Sequence, residues 1–494
     1  MPLNLIRDPW IPVATASGAR TIRPDQIAEP DVRFPAWPRP DLDIACLELL
    51  IGLVALADPP AGREDWLARR VPDPERLRAR LAPLAPAFEL DGEGPRFLQD
   101  LEALPGAPAS PDMLFIDSAG ESTAKKNADL MVRRDRYPTL DPALAAMALY
   151  TLQAHAPSGG AGNRTSMRGG GPLVTLVEPR PDCPLWELVW ANVPCGAPPS
   201  ADELPWMHRT RVSDNGQQVH QPSGEGIAIE AFFGMPRRLR LVFAEGRVAG
   251  VIQRPWGTNY GLWRHPLTPY YRMKPGEAPL PVHPRAGLFG YRNWLGVVAK
   301  AGNGELRERA AALDEFDARV REGEQLAARV IVAGWAMDNM KPLDFTLSVQ
   351  PFVDLPEDGA LILSGLVEAA DQAALALRTA LEPLLAGGAT REAEREAFHA
   401  ATERAFRDRF DELKAGAAAA EIATRWLSDL RGQALAQFDA LALPGLDQRE
   451  TDVIARIVTA RRLLLGAFAG QGKYGDAMFG KLMLEKPARK GRAA

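Results

Sequence analysis

The residue composition of this chain changes sharply after Pro351. From that point Ala, Leu, Arg and Glu dominate, and apolar and charged residues alternate at the spacing of amphipathic helices. Four such helices are expected, at about 366–384, 390–415, 417–440 and 447–468. Glycine and proline separate them by short links, so neighbouring helices should run antiparallel and form a four-helix bundle.

The residues before Pro351 lack this helical pattern. They contain apolar runs of strand length around small turn residues, as in 11–22 and 239–252. A chain of 494 residues is also too long for one ordinary hydrophobic core. We therefore predict an α+β fold with a large mixed N-terminal globular domain followed by a C-terminal four-helix bundle. The predicted boundaries are 1–360 for the mixed domain, 361–470 for the bundle and 471–494 for a basic flexible tail.

Composition restricts the classes of function. A content of 46% hydrophobic and 24% charged residues is typical of a soluble globular protein. A net charge of −5 argues against a protein that coats nucleic acid non-specifically, so any nucleic-acid contact must be local. The widely spaced Cys46, Cys183 and Cys195 suggest neither a disulfide framework nor a metal knuckle, and we expect a reduced, cytoplasmic setting. The apolar stretch 44–57 is too short to span a bilayer, so no membrane association is expected.

The sequence contains no recognisable catalytic pattern. Its six histidines form no H-x-x-x-H or H-x-E motif, and no G-x-S-x-G elbow is present. Residues 466–473 have the wrong spacing for a phosphate loop. We therefore expect a binding protein with no catalytic residues, no metal site and no cofactor.

A glycine-rich stretch is the strongest candidate for a binding site. Residues 159–162 (the first glycine cluster) and 169–171 (the second glycine cluster) bracket Asn163, Arg164 and Arg168. Glycine lets another molecule approach the backbone closely, and guanidinium groups match phosphate, so the stretch is suited to a polyanion. An ordinary long turn with solvated arginines remains an alternative. A dinucleotide site is disfavoured because neither cluster completes G-x-G-x-x-G.

This stretch resembles the glycine loop of the large subunit of the type I-E CRISPR Cascade complex. The resemblance includes the Arg168-Gly169-Gly170 core and the following Pro172. Further similar segments occur in the same order along the chain, at 4–13, 233–238, 261–266 and 337–341.

The resemblance implies a target-recognition subunit of a guide-RNA ribonucleoprotein with other Cascade subunits. Such a subunit reads a short motif beside the target in double-stranded DNA, from the minor groove, and starts strand separation for guide RNA pairing. It then recruits a helicase-nuclease. The DNA-binding residues implied here are Gly159, Gly160, Gly162, Asn163, Arg164, Arg168, Arg272, Lys274, Asn339, Met340 and Lys341.

Some of these positions carry specific expectations. Lys274 matches a lysine that enters the minor groove in the family, and Arg272 is its possible substitute because this turn is about one residue shorter. Asn339 and Met340 stand where family members place a wedge between base pairs, although a simple β-turn satisfies the sequence equally well.

Two further points follow from the resemblance. Lys125, Lys126 and Asn127 lie in a segment that would contact guide RNA or a neighbouring subunit, with a solvated surface loop as the alternative. Residues 254–257 replace a cysteine pair that some members carry, so zinc is not implied. The alternative function is a protein–protein interaction scaffold without direct nucleic-acid contact.

Overall fold

The computed structural model describes residues 2–127, 129, 132–134, 136–160, 162–224, 226–302, 306–320 and 327–487. The chain divides into two compact units. The first contains residues 1–287 and 308–352, and the second contains 288–307 and 353–494. The first unit mixes helices and strands and the second is helical, so the predicted α+β class is confirmed.

The first unit contains short helices and several small sheets. Its helices are α1 (Pro40–Ala57), α2 (Arg63–Ala68), α3 (Pro74–Leu81), α4 (Glu121–Lys125), α5 (Pro142–His155), α6 (Leu185–Asn192), α7 (Glu230–Phe233) and α8 (Ala311–Arg319). Its strands are β1 (Ile11–Thr15), β2 (Gly18–Ile22), β3 (Val32–Pro35), β4 (Val174–Glu178), β5 (Val219–His220), β6 (Arg238–Ala244), β7 (Arg247–Arg254), β8 (Tyr260–Gly261), β9 (Tyr270–Tyr271), β10 (Leu280–Pro281), β12 (Arg329–Asp338) and β13 (Lys341–Pro351); β11 (Arg307–Glu308) lies at the unit boundary.

One antiparallel sheet, in the order β13-β12-β4, supports the candidate site. β12 is central: Val330 pairs with Val177 of β4 on one side and with Gln350 of β13 on the other. β4 and β12 are almost wholly buried, consistent with their apolar sequences. β12 and β13 extend past the end of β4 as a two-stranded hairpin, which places the residues at its tip in solvent.

Two helices of the first unit fix the start of the glycine-rich stretch. α5 begins at Pro142, and the Asp141 side chain accepts a hydrogen bond from the Ala143 amide at 3.0 Å, a favourable helix start. α5 ends at His155, where the glycine-rich stretch begins. α1 packs against α5 and is buried on nearly all sides, including the carboxyl group of Glu48, which is 0% exposed.

The second unit contains the four predicted helices and one more. They are α9 (Glu357–Ala380), α10 (Gly388–Lys414), α11 (Ala419–Ala442), α12 (Thr451–Ala467) and α13 (Gly472–Lys481). The segment 288–307, which we assigned to the N-terminal domain, packs with these helices. Its Tyr291 ring stacks on Phe406 at 4.2 Å, and the Tyr291 hydroxyl is 2.8 Å from Thr402 Oγ1.

The predicted flexible tail begins with a helix instead. Residues 472–481 form α13 because Met478 and Phe479 are apolar at helical spacing and are buried in the second unit. Two of the tail's cations are in ion pairs: Lys481 with Glu368 and Lys486 with Asp476. Arg489, Lys490 and Arg492 lie outside the described residues.

α9 is the one helix in the described ranges that is long and apolar enough to cross a membrane. Within the structure, 61% of its most apolar window is buried. Core helices of soluble proteins pass the same test, so α9 is weak evidence for a membrane span.

Candidate nucleic-acid interface

The glycine loop, residues 156–171, is closed at its base by backbone hydrogen bonds. The Gly171 amide donates to the His155 carbonyl at 3.0 Å, and the Ser166 amide donates to the Ala156 carbonyl at 2.9 Å. The tip is a turn in which the Asn163 amide donates to the Gly160 carbonyl at 2.8 Å. The stretch therefore forms a defined loop between α5 and β4.

The glycines of the first cluster have different surroundings. Gly160 (φ +65°) is exposed, and a Cβ atom placed on it would have no neighbour within 4 Å. A Cβ atom on Gly162 (φ +81°) would lie 2.7 Å from the Trp256 ring, and one on Gly159 would lie 2.8 Å from Arg237 Nη1. Gly160 alone of these three faces open space, whereas Gly159 and Gly162 allow close packing.

The second glycine cluster packs against the β12–β13 hairpin. A Cβ atom on Gly170 would lie 3.2 Å from the sulfur atoms of both Met337 and Met340, and one on Gly171 would lie 2.4 Å from the Trp335 carbonyl oxygen. Such close approach requires glycine. The fold thus brings the glycine loop and the hairpin tip together, although they are far apart in the sequence.

The hairpin tip (Asp338–Lys341) is a two-residue turn with both central residues left-handed. Asn339 has φ +46° and Met340 has φ +64°, as a type I′ turn requires. Asn tolerates this region, but for Met it costs roughly 1–2 kcal/mol. Met340 is nevertheless 46% exposed, and Asn339 and Lys341 are exposed beside it. A strained, exposed apolar side chain at a tip is a reason to suspect a function there.

Arg164 is engaged within the protein. Its Nε donates to Ser213 Oγ at 2.9 Å, its Nη2 donates to the Ser213 carbonyl at 2.8 Å, and its guanidinium lies 5.1 Å from the Trp256 ring centroid. Trp256 is 38% exposed and contacts Gly162. Sequence reasoning missed Trp256, although a tryptophan in an Arg-Pro-Trp-Gly turn is a recognisable surface signal.

Arg168 does not belong to the exposed interface. It is 2% exposed, its Nη1 lies 2.8 Å from Glu48 Oε2, and it donates to Thr268 Oγ1 at 3.1 Å. A side chain buried in this way cannot contact DNA in this conformation, so we withdraw it from the predicted DNA-binding set. Sequence reasoning could not foresee its burial because the partner, Glu48, lies on a distant helix.

Glu48 contacts the residue before the glycine loop and a residue within it. Besides Arg168, its Oε1 lies 2.7 Å from His155 Nε2, at the end of α5. Burial by itself would raise the pKa of Glu48, but Arg168 and His155 hold that pKa well below its usual range. Burial, and then the charge of Arg168, lowers the pKa of the adjacent His265, which is therefore neutral near pH 7.

Arg237 lies beneath the first glycine cluster and was also missed as a site residue. It is 6% exposed, and its Nη2 donates to the Pro157 carbonyl. Burial lowers the pKa of Arg237 to about 10, so it stays charged near neutrality. The neighbouring Arg238, in contrast, forms an ion pair with Asp100 at 2.7 Å.

The predicted lysine turn lies between β9 and β10. Lys274 is exposed there, and the Glu277 amide donates to its carbonyl at 3.2 Å. Arg272 is half-buried and forms an ion pair with Glu308. Lys274 is thus the more accessible of the two candidates. A backbone hydrogen bond links this turn to the end of the glycine loop. The Leu173 amide, just after the loop, donates to the carbonyl of Val282, just after β10, at 2.9 Å.

Lys125, Lys126 and Asn127 lie at the end of α4 and are exposed. Asn127 Oδ1 accepts a hydrogen bond from Arg134 at 3.0 Å. These three residues lie at the end of α4 and not in the glycine loop.

Among the residues that the structure describes, no group of three or more His, Cys, Asp or Glu side chains is arranged to hold a metal ion. Cys46, Cys183 and Cys195 are all free thiols, the first two buried.

Comparison with known proteins assigns the chain to a family. The family model of CRISPR-associated protein Cse1 matches residues 4–437. The chain belongs to the Cse1 family. No curated protein matches it significantly.

Solved Cse1 structures have the same fold as this Cse1-family chain. Thermus thermophilus CasA (Cse1) has a TM-score of 0.73 at 18% identity, covering 95% of this chain and 99% of its own. Thermobifida fusca Cse1 has a TM-score of 0.70 at 17% identity, covering 97% and 98%. A chain described as part of a CRISPR RNA-guided surveillance complex has a TM-score of 0.68 at 17% identity, covering 94% and 99%.

Proposed function

We propose that this chain is the target-recognition subunit of a type I-E Cascade-like surveillance complex in the cytoplasm. It reads a short motif beside the target in double-stranded DNA from the minor groove and starts strand separation. Guide RNA pairing reads the rest of the target. The chain acts by binding and not by catalysis.

The observation that carries this proposal is the packing of the second glycine cluster against the hairpin tip. This packing brings together the glycine loop and the hairpin tip. The loop has an accessible backbone at Gly160, and the tip carries the exposed, strained Met340. Proteins that bend or open a duplex from the minor groove often insert an apolar side chain between base steps. Met340 is suited to that role, and Asn339 is suited to hydrogen-bond an exposed base edge.

The exposed cations complete the interface. Lys274 extends from its turn to read the groove, while Lys341 contacts a phosphate next to the hairpin tip. The minor groove offers a degenerate pattern of donors and acceptors, so several motifs should be tolerated.

The partners follow from family membership. One similar chain was solved in a CRISPR RNA-guided surveillance complex. By the same assembly, this chain would bind a guide-RNA ribonucleoprotein, with Lys125, Lys126 and Asn127 facing guide RNA or a neighbouring subunit. Once the strands separate, it would recruit a helicase-nuclease.

A gel shift with the purified complex tests the proposal, using duplexes with and without a candidate motif. We expect preferential binding of the motif-bearing duplex, and loss of that preference in Gly160→Val, whose side chain would occupy the open face of the loop. Normal assembly of the Gly160→Val complex is the control for folding. Equal binding of both duplexes by the unmodified complex would refute motif recognition.

An interaction scaffold is the second candidate, and one observation favours it. β13 exposes an alternating apolar row: Leu343 is 61% exposed, Leu347 50% and Val349 48%. Exposed apolar surface of this kind is suited to a protein partner. If Leu347→Ser abolished assembly while no variant of the glycine loop altered duplex binding, the scaffold would be the better account.

A further inference from the structure

Arg237 carries a buried positive charge, and no carboxylate in the part of the chain that the structure describes pairs with it. Its amide and carbonyl groups bond to the Gln153 side chain at 3.0 Å each, which fixes its position at the start of β6. Its Nε is buried with no hydrogen-bond partner in the described part of the chain. Burial is the cause of its lowered pKa, and no acidic group among the described residues offsets the charge.

Other buried arginines of the first unit do have such partners. Arg168 pairs with Glu48, Arg309 with Asp314 and Arg319 with Glu315. Removing a charge from water without a counter-charge is strongly unfavourable. Arg237 differs from these arginines, and an anionic ligand would supply the negative charge that it lacks.

The guanidinium group of Arg237 lies against the first glycine cluster. Arg237 Nη1 would be 2.8 Å from a Cβ atom on Gly159, so the guanidinium reaches the backbone of the loop. Among the described residues, the amides of Gly160 and Gly162 donate to no acceptor. Backbone N–H groups in turns with left-handed residues form concave sites for anions.

We propose that the first glycine cluster and Arg237 together bind one phosphodiester group of the DNA backbone beside the motif. This rests on the proposed function, because the same loop approaches the duplex. Arg237 stays buried and supplies the charge from beneath the loop, while the exposed amides of the first glycine cluster hydrogen-bond the phosphate. Arg168 then has a separate role, since it holds the loop to Glu48.

The test is a salt titration of duplex binding by the complex carrying Arg237→Gln, Arg237→Lys or no change. Loss of one phosphate contact should weaken motif-bearing and motif-free duplexes alike and reduce the slope of log K against log salt by about one. Arg237→Gln should show this loss, and Arg237→Lys should retain the slope. Arg78→Gln, which removes an exposed cation on α3, is the matched control and should change nothing.

An unchanged slope for Arg237→Gln, or an altered ranking of motifs, would overturn the phosphate site. Failure of the unmodified complex to prefer any motif would instead refute the proposed function. The two results are distinguishable, because the salt slope is measured on motif-free duplex as well.

A second measurement does not depend on Arg237→Gln folding. The full chain is unfolded by heat in sodium phosphate and in sodium chloride at equal ionic strength. Phosphate should raise the Tm of the unmodified chain and of Arg237→Lys by more than that of Gly160→Val, which blocks the amides and keeps the arginine. An equal rise in all three, or no rise in the unmodified chain, would contradict the site.

Discussion

Single residues of the interface divide into those that hold the glycine loop and those that face solvent. Glu48 holds the loop through His155 before it and Arg168 within it. Gly160 and Lys274 face solvent. The sequence predicts the loop, because clustered glycines and arginines are visible in it. It does not separate Arg168 from the exposed arginines, because that depends on a carboxylate brought in by α1.

Replacing Glu48 tests the anchoring role. Glu48→Gln leaves Arg168 buried without its counter-charge, and breaking a buried ion pair in this way costs about 3–5 kcal/mol. We expect urea unfolding to show a loss of that order, while Glu75→Gln, an exposed change on α3, leaves stability unaltered. A loss below about 1 kcal/mol would mean that Glu48 does not hold the loop.

The same pair predicts the direction of pH dependence. The folded chain holds the pKa of Glu48 below its ordinary value of 4.5. Its contribution to stability is therefore complete above pH 4.5 and is lost as the pH falls towards the folded-state pKa. The free energy of unfolding of Glu48→Gln should therefore fall less, as the pH is lowered below 4.5, than that of the unmodified chain.

Two exposed lysines distinguish base reading from phosphate binding. Lys274→Ala should change the ranking of motifs if Lys274 enters the groove, whereas Lys341→Ala should weaken all duplexes alike and lower the salt slope by about one. Binding curves across a set of motifs and salt concentrations measure both effects. The same profile for the two variants would contradict this division.

Among the elements, the β12–β13 hairpin has a turn whose conformation conflicts with its sequence. Both strands were predictable from their apolar runs, and the helices of the second unit from their amphipathic spacing. The type I′ conformation was not, because Asn-Met lacks the glycine that this turn favours. The helix α13 was missed because lysines in its sequence suggested a solvated tail, while the packing of Met478 and Phe479 decided the outcome.

The strained hairpin tip predicts opposite effects on stability and on function. Met340→Gly creates the residue pair that a type I′ turn prefers, so stability should rise by about 1 kcal/mol. Strand separation on a fully paired linear target should nevertheless slow, because the apolar side chain is lost. R-loop formation should be little affected on a target already mismatched beside the motif, which provides the matched control. Equal defects on both targets would rule out a wedge at this turn.

On the scale of the whole molecule, the chain combines an acidic net charge with a local set of exposed cations. Under the proposed function, its association with DNA depends on a confined site and not on general attraction. Length predicted two or three domains, and the change of composition after Pro351 predicted the helices of the C-terminal part. They did not predict that residues 288–307 pack with the helical unit, because the aromatic partners of Tyr291, Phe406 and Trp426, lie more than a hundred residues further along.

Base analogues test the central claim, recognition of a motif from the minor groove, most directly. Inosine for guanine and 2,6-diaminopurine for adenine remove or add the minor-groove amino group, while 7-deazapurines alter only the major-groove edge. Duplexes carrying each analogue within the motif are titrated with the complex. The account predicts that the amino-group changes alter affinity and the 7-deaza changes do not. Sensitivity to the 7-deaza changes alone would contradict it.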